Sequence, residues 1–429
     1  MEKSTSRRTF IKSSSLLAGS ALISGFPSIN TGKQQMLKVA LIGSGKRGAG
    51  AAAQALKTSK DVKLVAMADV FRDQLEASFQ ALTKVPGIKD QLDVPENHKF
   101  VGFDAYQKAT ALADVVLLAT PAPFRPAHFR FAIEEGKHVF MEKPLASDAP
   151  GIREILAVGE LATKKGLNVV VGLQNRYDPA FQEMVKRLQD GMIGDLISAS
   201  TYYNVGRVNL IPRKPGWTEM EYQVRNWRYF NWLWAGSPAG LQIHNDDVVN
   251  WVKGSFPVKV VGNGGRASLS GPDHGDIYDH FFDEYEYADG FKLNSQIRHI
   301  NGCWNKGGSE FYGTKGTGSL KDGFRDYKGN LIWKVSGKQD NPYQIEHDEL
   351  FAAIRGAKYI NDTEWGAKST MATIMGRMAS HSGQLIEWDA AINSTESIVP
   401  PVLAWDAPPL SLPDENGNYR VPVPGIDRV

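Results

Sequence analysis

The sequence predicts an α/β fold that begins with a doubly wound parallel sheet, and three observations carry this. Compact apolar runs recur along the first part of the chain, with helix-forming stretches between them. The first run leads directly into a glycine-rich turn. Most of these runs end on polar residues, at the point where parallel strands collect ligands.

Residues 36–42 are an apolar run bounded by glycine, the pattern of a strand buried on both faces. Gly43-Ser44-Gly45-Lys46-Arg47-Gly48 fits G-x-G-x-x-G, and the alanine-rich residues 49–56 form helix readily. Residues 62–68 read as a second strand, closed by Asp69. In a nucleotide-binding βαβ unit, Gly43 permits the tight turn and Gly45 lets the backbone approach a pyrophosphate. Gly48 lets the helix pack closely on the strand. The helix N-terminus, with Lys46 and Arg47, offers free N–H groups to phosphates. Asp69 would accept bonds from ribose hydroxyls and repel a 2′-phosphate, which favours NAD; nearby Arg72 keeps NADP open. Strand, loop, helix, strand and acid in this order turn the glycine pattern into a dinucleotide signature.

Residues 113–119 read as another strand, ending at Thr120-Pro121. Residues 128–135, beginning at His128, read as a helix closed by Gly136. A strand at 138–141 then ends at Glu142-Lys143-Pro144. Thr120, Pro121, His128, Glu142 and Lys143 are therefore candidate cofactor contacts.

"GSGKRG", "ATP" and "GKHVFMEKPLA" resemble the Gfo/Idh/MocA oxidoreductases, the glucose–fructose oxidoreductase and inositol dehydrogenase group, over about residues 37–400. The resemblance implies a Rossmann domain followed by a C-terminal α+β domain. That second domain would hold a large mixed, mostly antiparallel open sheet. One sheet face would pack on helices, and the other would serve as a substrate platform or an oligomer contact. The residues fit: 167–173 and 197–203 read as strands, and 181–188 as a helix ended by Gly191 and Gly194. Further strands are expected at 258–261, 281–287, 291–300 and 308–313. The domains expected are 35–165 for the cofactor and 166–400 for substrate and oligomerisation, with a proline-rich extended arm at 401–429.

The resemblance also implies hydride transfer between a nicotinamide and a sugar or polyol carbon. Oxidising a secondary alcohol requires a base within hydrogen-bond reach of the hydroxyl. The family pattern assigns this work to Lys143 and to His244 of "LQIHNDDVVNW", with Asp247 in H-x-x-D. The structural alternative for Lys143 is a pair with Glu142. Many members carry an acid four residues before the histidine, where this chain has Gly240; Asp246, Asp247 or Gln242 are the available substitutes. Arg225, Trp227, Arg228 and Trp232 combine hydrogen-bond forks with stacking faces that suit a sugar, although such aromatics also fill cores. Asn175 is expected at the nicotinamide ribose, and Arg176, Tyr177, His299 and Asn301 near the substrate. No histidine pair has H-x-x-x-H spacing, so no metal is expected.

The chain has 429 residues, 42% hydrophobic and 22% charged, with a net charge of +2. That near balance argues against nucleic acid as a partner. Cys303 is the only cysteine, so no internal disulfide forms. Ser6-Arg7-Arg8-Thr9-Phe10-Ile11-Lys12, followed by the short apolar run 16–26, resembles a twin-arginine signal over residues 1–34. It implies folded export to the periplasm, with no stable membrane span beyond the signal. An exported protein has no free NAD pool to draw on and must keep its cofactor. Two redox-neutral cycles fit: ping-pong oxidoreduction, or a glycoside hydrolase working by transient oxidation, elimination, hydration and re-reduction. A third possibility is a sugar-binding protein with a vestigial cofactor site. A homo-oligomer, dimer or tetramer, is expected.

Overall fold

The computed structural model describes residues 36–337 and 339–427; the expected twin-arginine segment lies outside the described residues. The chain from Met36 onward forms one compact unit. Its first layer is a six-stranded sheet of β1 (Leu37–Ile42), β2 (Val62–Asp69), β3 (Lys99–Val101), β4 (Val115–Leu118), β5 (His138–Met141) and β6 (Val169–Val171). The strand order is β3-β2-β1-β4-β5-β6, and every pairing is parallel. Helices on both faces explain the unbroken apolar runs: Val39, Ala40 and Leu41 are all fully buried. The order reverses between β1 and β4, which opens a crevice at their carboxyl ends.

The expected boundary at 165/166 falls one strand too early. β6 pairs with β5 and closes the parallel sheet, so the first domain extends past it. The chain also returns to this layer much later. Helix Pro342–Ile354 places Leu350 and Phe351 in one core with Val39, Leu41, Val115 and Phe140.

The second layer is a nine-stranded sheet. Its strands are β7 (Leu196–Val205), β8 (Lys259–Gly265), β9 (His280–Glu286), β10 (Lys292–His299) and β11 (Lys306–Gly313). β12 (Gly316–Ser319), β13 (Gly323–Asp326), β14 (Leu331–Trp333) and β15 (Ile386–Glu387) complete it. The order is β14-β13-β12-β11-β7-β10-β9-β8-β15, with only β7 and β10 parallel. Burial along β10 alternates residue by residue, the mark of a sheet covered on one face. Helices Ile243–Lys253 and Thr363–Ser382 pack on the sheet. The second of these is buried almost throughout because helix Ala149–Lys164 packs against it as well.

Residues 401–427 contain no helix or strand. They are nonetheless anchored: the Trp405 ring lies 5.3 Å from Phe71 and 4.6 Å from Phe103. Among the described residues no helix is long and apolar enough to cross a membrane.

Candidate active site

The loop after β1 is shaped by its glycines. Gly43 has φ +91°, and a Cβ there would lie 2.6 Å from the Thr120 nitrogen. A Cβ on Gly48 would overlap the Gly43 carbonyl oxygen, so helix Lys46–Lys57 can pack this closely only without one. Gly45 is different: a Cβ there would meet nothing within 4 Å. It faces a cleft of about 500 Å³ lined by the loops after β1, β2, β4 and β5 and by loop and helix residues between Ile211 and His244.

At the tip of β2, the Asp69 carboxylate accepts bonds from the backbone N–H groups of Ser44 (2.7 Å) and Phe71 (2.9 Å). Burial pushes its pKa up, and these amides pull it back. The cleft is also lined by buried polar atoms that have no partner among the described residues: Thr120 Oγ1, His128 Nδ1, Gln174 Oε1 and His244 Nδ1. Together with the open face at Gly45, these orphans fit an elongated polar ligand such as a dinucleotide. Burial lowers the His128 pKa to about 3, so its ring is a neutral wall, stacked at 4.1 Å on Tyr106.

The expected cofactor residues line this cleft with two exceptions. Arg72 turns outward to Glu96 (2.9 Å) and Glu76 (3.4 Å). Asn175 donates to the His244 carbonyl (3.1 Å), and its neighbour Gln174 faces the cleft instead.

At the far end, Lys143 Nζ donates to the Gly240 carbonyl at 2.7 Å. Glu142 does not pair with Lys143; it holds Arg47 Nε at 2.6 Å. Burial lowers the Lys143 pKa to about 8; Glu142 opposes this, while Arg228, Arg125 and Arg47 push it further down. Burial, and then the Lys143 charge, hold His244 well below the usual imidazole value, so it is neutral. Both side chains line the cleft.

Gly240 sits in a π-turn, Pro238–Gln242, ahead of helix Ile243–Lys253. A Cβ there would collide with the Trp234 indole, which is buried. The acid common in the family has no room here, and the backbone carbonyl supplies Lys143 with a partner. None of the expected substitutes lines the cleft. Gln242 and Asp246 join Thr201 and Ser295 in a buried network, and burial raises the Asp246 pKa to about 7.

Asp247 does not line the cleft. It is buried away from the cleft and accepts from Arg176 (2.8 and 3.1 Å), Trp365 Nε1 (2.6 Å) and Ser369 Oγ (2.6 Å). Arg176 is thereby removed from the substrate, its guanidinium 4.1 Å from the centre of the Trp365 ring. Tyr177 donates to Asp362 (2.5 Å), outside the cleft. His299 is buried, with Nε2 3.1 Å from the Tyr278 carbonyl and its ring edge-on to Trp234. Of the expected substrate residues, Arg225, Trp227, Arg228 and His244 line the cleft. Arg225 is held by Asp73 and Glu221, whereas Arg228 makes no ion pair or hydrogen bond among the described residues. Asp247→Asn should lower stability by about 1–3 kcal/mol, because it removes the buried carboxylate to which Arg176, Trp365 and Ser369 bond. Urea unfolding measures that loss. The pH–rate profile should not move, and a shift in it would return Asp247 to the chemistry.

Phe71, Phe103, Trp234 and Tyr343 also line the cleft and were not foreseen. Phe71 could have been found, since it lies two residues beyond Asp69. Tyr343 carries no local signal because helix Pro342–Ile354 brings it back from far along the chain. Among the described residues no group of His, Cys, Asp or Glu could hold a metal.

Comparison with known proteins agrees with this geometry. Residues 37–173 match the profile of an oxidoreductase family with an NAD-binding Rossmann fold, and 185–407 match the same family's C-terminal alpha/beta domain. The chain is 27% identical over 224 residues to inositol 2-dehydrogenase of Rhizobium meliloti (strain 1021), covering 52% of this chain and 57% of that protein. It is 27% identical over 182 residues to 2,7-anhydro-N-acetylneuraminate hydratase of Escherichia coli (strain K12), covering 42% and 45%. The chain thus spans about half the length of these two curated relatives. Scyllo-inositol dehydrogenase of Lactobacillus casei, solved with NAD(H) and scyllo-inositol, superposes with a TM-score of 0.62 at 18% identity, over 83% of this chain and all of that one. With both of its domains matched, this chain belongs to the Gfo/Idh/MocA oxidoreductase family.

Proposed function

We propose that the chain oxidises or reduces a sugar or polyol carbon, using NAD rather than NADP. The observation that carries this is Lys143. Its amine has a pKa lowered to about 8, is tethered to a backbone carbonyl, and lines one cleft with a neutral His244. Bound NAD would supply the hydride acceptor. The glycine loop and Asp69 would hold it, and the outward turn of Arg72 takes away one cation that could favour a 2′-phosphate. Lys143 Nζ and His244 Nδ1 are the groups able to take a hydroxyl proton. Trp227 and Arg228 would offer the sugar a stacking face and a hydrogen-bond fork.

As a base, Lys143 must be neutral. Alcohol oxidation should therefore rise with pH through about 8 and level off above it, with reduction falling over the same range. A pH profile of kcat/KM in both directions checks this; a flat profile across that window would exclude Lys143 as the titrating group.

The reading includes export by the twin-arginine pathway to the periplasm, a retained cofactor, and self-association. The open face of the second sheet, where Val261 and Phe282 are exposed, is the surface proposed for a homo-oligomer. Retention favours redox-neutral chemistry. In ping-pong oxidoreduction one sugar is oxidised and leaves, and a second carbonyl compound is reduced. The glycoside hydrolase cycle is the second reading, supported by the relative named a hydratase, whose net reaction is also redox-neutral. Free sugars and aryl glycosides separate the two: released aglycone supports hydrolysis, and a keto-sugar without cleavage supports oxidoreduction. The intact cradle around Gly43, Gly45 and Gly48 speaks against a vestigial cofactor site.

A further inference from the structure

A second cavity, of about 460 Å³, lies back to back with the cofactor cleft. Two segments form the wall between them. The short helix Asn231–Trp234 gives Leu233 and Trp234 to the cleft, and Asn231 and Trp232 to the cavity. The stretch after β5 likewise gives Lys143 and Pro144 to the cleft, and Asp148 and Ala149 to the cavity. Helix Thr363–Ser382 contributes Arg377 and His381, and the irregular C-terminal segment contributes residues from 394 onward. The volume falls within the roughly 300–1,000 Å³ usual for small-molecule sites.

Asp148 and Asp276 already accept hydrogen bonds from Gly151, Ser397, Ile398 and Asn231, but other polar groups here are underused. Arg377 is only 5% exposed, yet its guanidinium makes a single protein hydrogen bond, to the Ser147 carbonyl at 2.9 Å. Among the described residues it has no ion pair, although the charges of Asp148 and Asp276 act on it from farther away. Asn231 Oδ1 and His381 Nε2 are buried and have no partner among the described residues. A guanidinium has five N–H donors, and leaving buried donors and acceptors unused is costly.

The lining selects the chemistry of what could fill it. An apolar ligand would leave all these groups unsatisfied. An anion would meet Asp148, Asp276 and Glu396 as well as Arg377. A cation would face Arg377. Arg420 and Asp427 at the rim already neutralise each other at 2.7 Å. A hydroxyl, however, both accepts and donates, so a row of hydroxyls can join the guanidinium to carboxylates it does not reach directly. Trp232, Ile374 and Met378 add apolar surface for the C–H faces of a ring.

We propose that this cavity is a binding site for a neutral polyhydroxylated ligand of monosaccharide size, separate from the cofactor cleft. It stands on its own lining and does not depend on the reaction assigned to the cleft.

The test uses the full chain with NAD added, and D-glucose, D-galactose, N-acetyl-D-glucosamine and myo-inositol as probes, with D-glucuronate and sulfate as anionic controls. Crystals soaked in each neutral probe should show at least one of them in the cavity, with hydroxyls on Arg377 and Asn231. Ser411→Phe, which fills the cavity from the C-terminal segment, should weaken that probe's calorimetric binding at least about tenfold while the affinity for NAD holds. Ordered water alone in every soak would overturn the proposal. So would preferential uptake of sulfate or glucuronate, or probe affinity that Ser411→Phe leaves unchanged. The soaks read the unmodified chain and decide the question even if the variant folds poorly.

Discussion

Lys143→Met is expected to lower turnover about 10²–10⁴-fold, the usual contribution of a positioned acid or base, while NAD binding stays near that of the unmodified protein. The side chain's one protein hydrogen bond is to the Gly240 carbonyl, so methionine leaves no buried carboxylate unpaired. The Arg47–Glu142 pair and the amides around Asp69 do not involve Lys143 and should hold the cofactor as before. Steady-state rates and a fluorescence titration with NAD measure the two halves of this expectation. Full turnover would remove Lys143 from the chemistry, and loss of NAD binding would make it a structural residue.

Gly240→Glu, which installs the acid that many relatives carry, is expected to damage this protein. The collision arises at Cβ, against the buried Trp234 indole, before the carboxylate can reach any position. Overpacking of this kind costs about 1–3 kcal/mol, and any backbone shift that relieves it moves the carbonyl that tethers Lys143. Urea midpoints should fall, and kcat with them. Gly240→Ala should lose a comparable amount of stability because the Cβ is the cause, and the same substitution made in a Trp234→Ala background should cost less than it does in the unmodified protein. A Gly240→Glu protein as stable as the unmodified one and more active would show that the relay position had been misread.

How far the sequence could be read follows from where each signal lies. β1, the glycine loop and Asp69 are contiguous, and each has a local reason for its residue type, so the first domain could be read element by element. Strands at 197–203, 281–287 and 291–300 were visible because alternation along a half-buried sheet is also local. β12, β13 and β14 were missed because they are only three or four residues long, too short to show alternation. Asp247 shows a different limit. Helical spacing placed it near His244, but its direction was set by Trp365 and Ser369 on a helix more than a hundred residues later. Arg176, Tyr177 and His299 failed for the same reason, since their partners are distant in sequence. Gly240 was recognised as a departure from the family pattern, but its cause, the packing of Trp234, is tertiary.

The central claim is that NAD stays in the cleft and is recycled there. Protein purified natively without added coenzyme, denatured and assayed by mass spectrometry, tests it most directly. The account predicts stoichiometric NAD or NADH released from the denatured chain, and turnover of a sugar with a carbonyl acceptor when no coenzyme is supplied. Empty protein that works only under a continuous supply of NAD would contradict it.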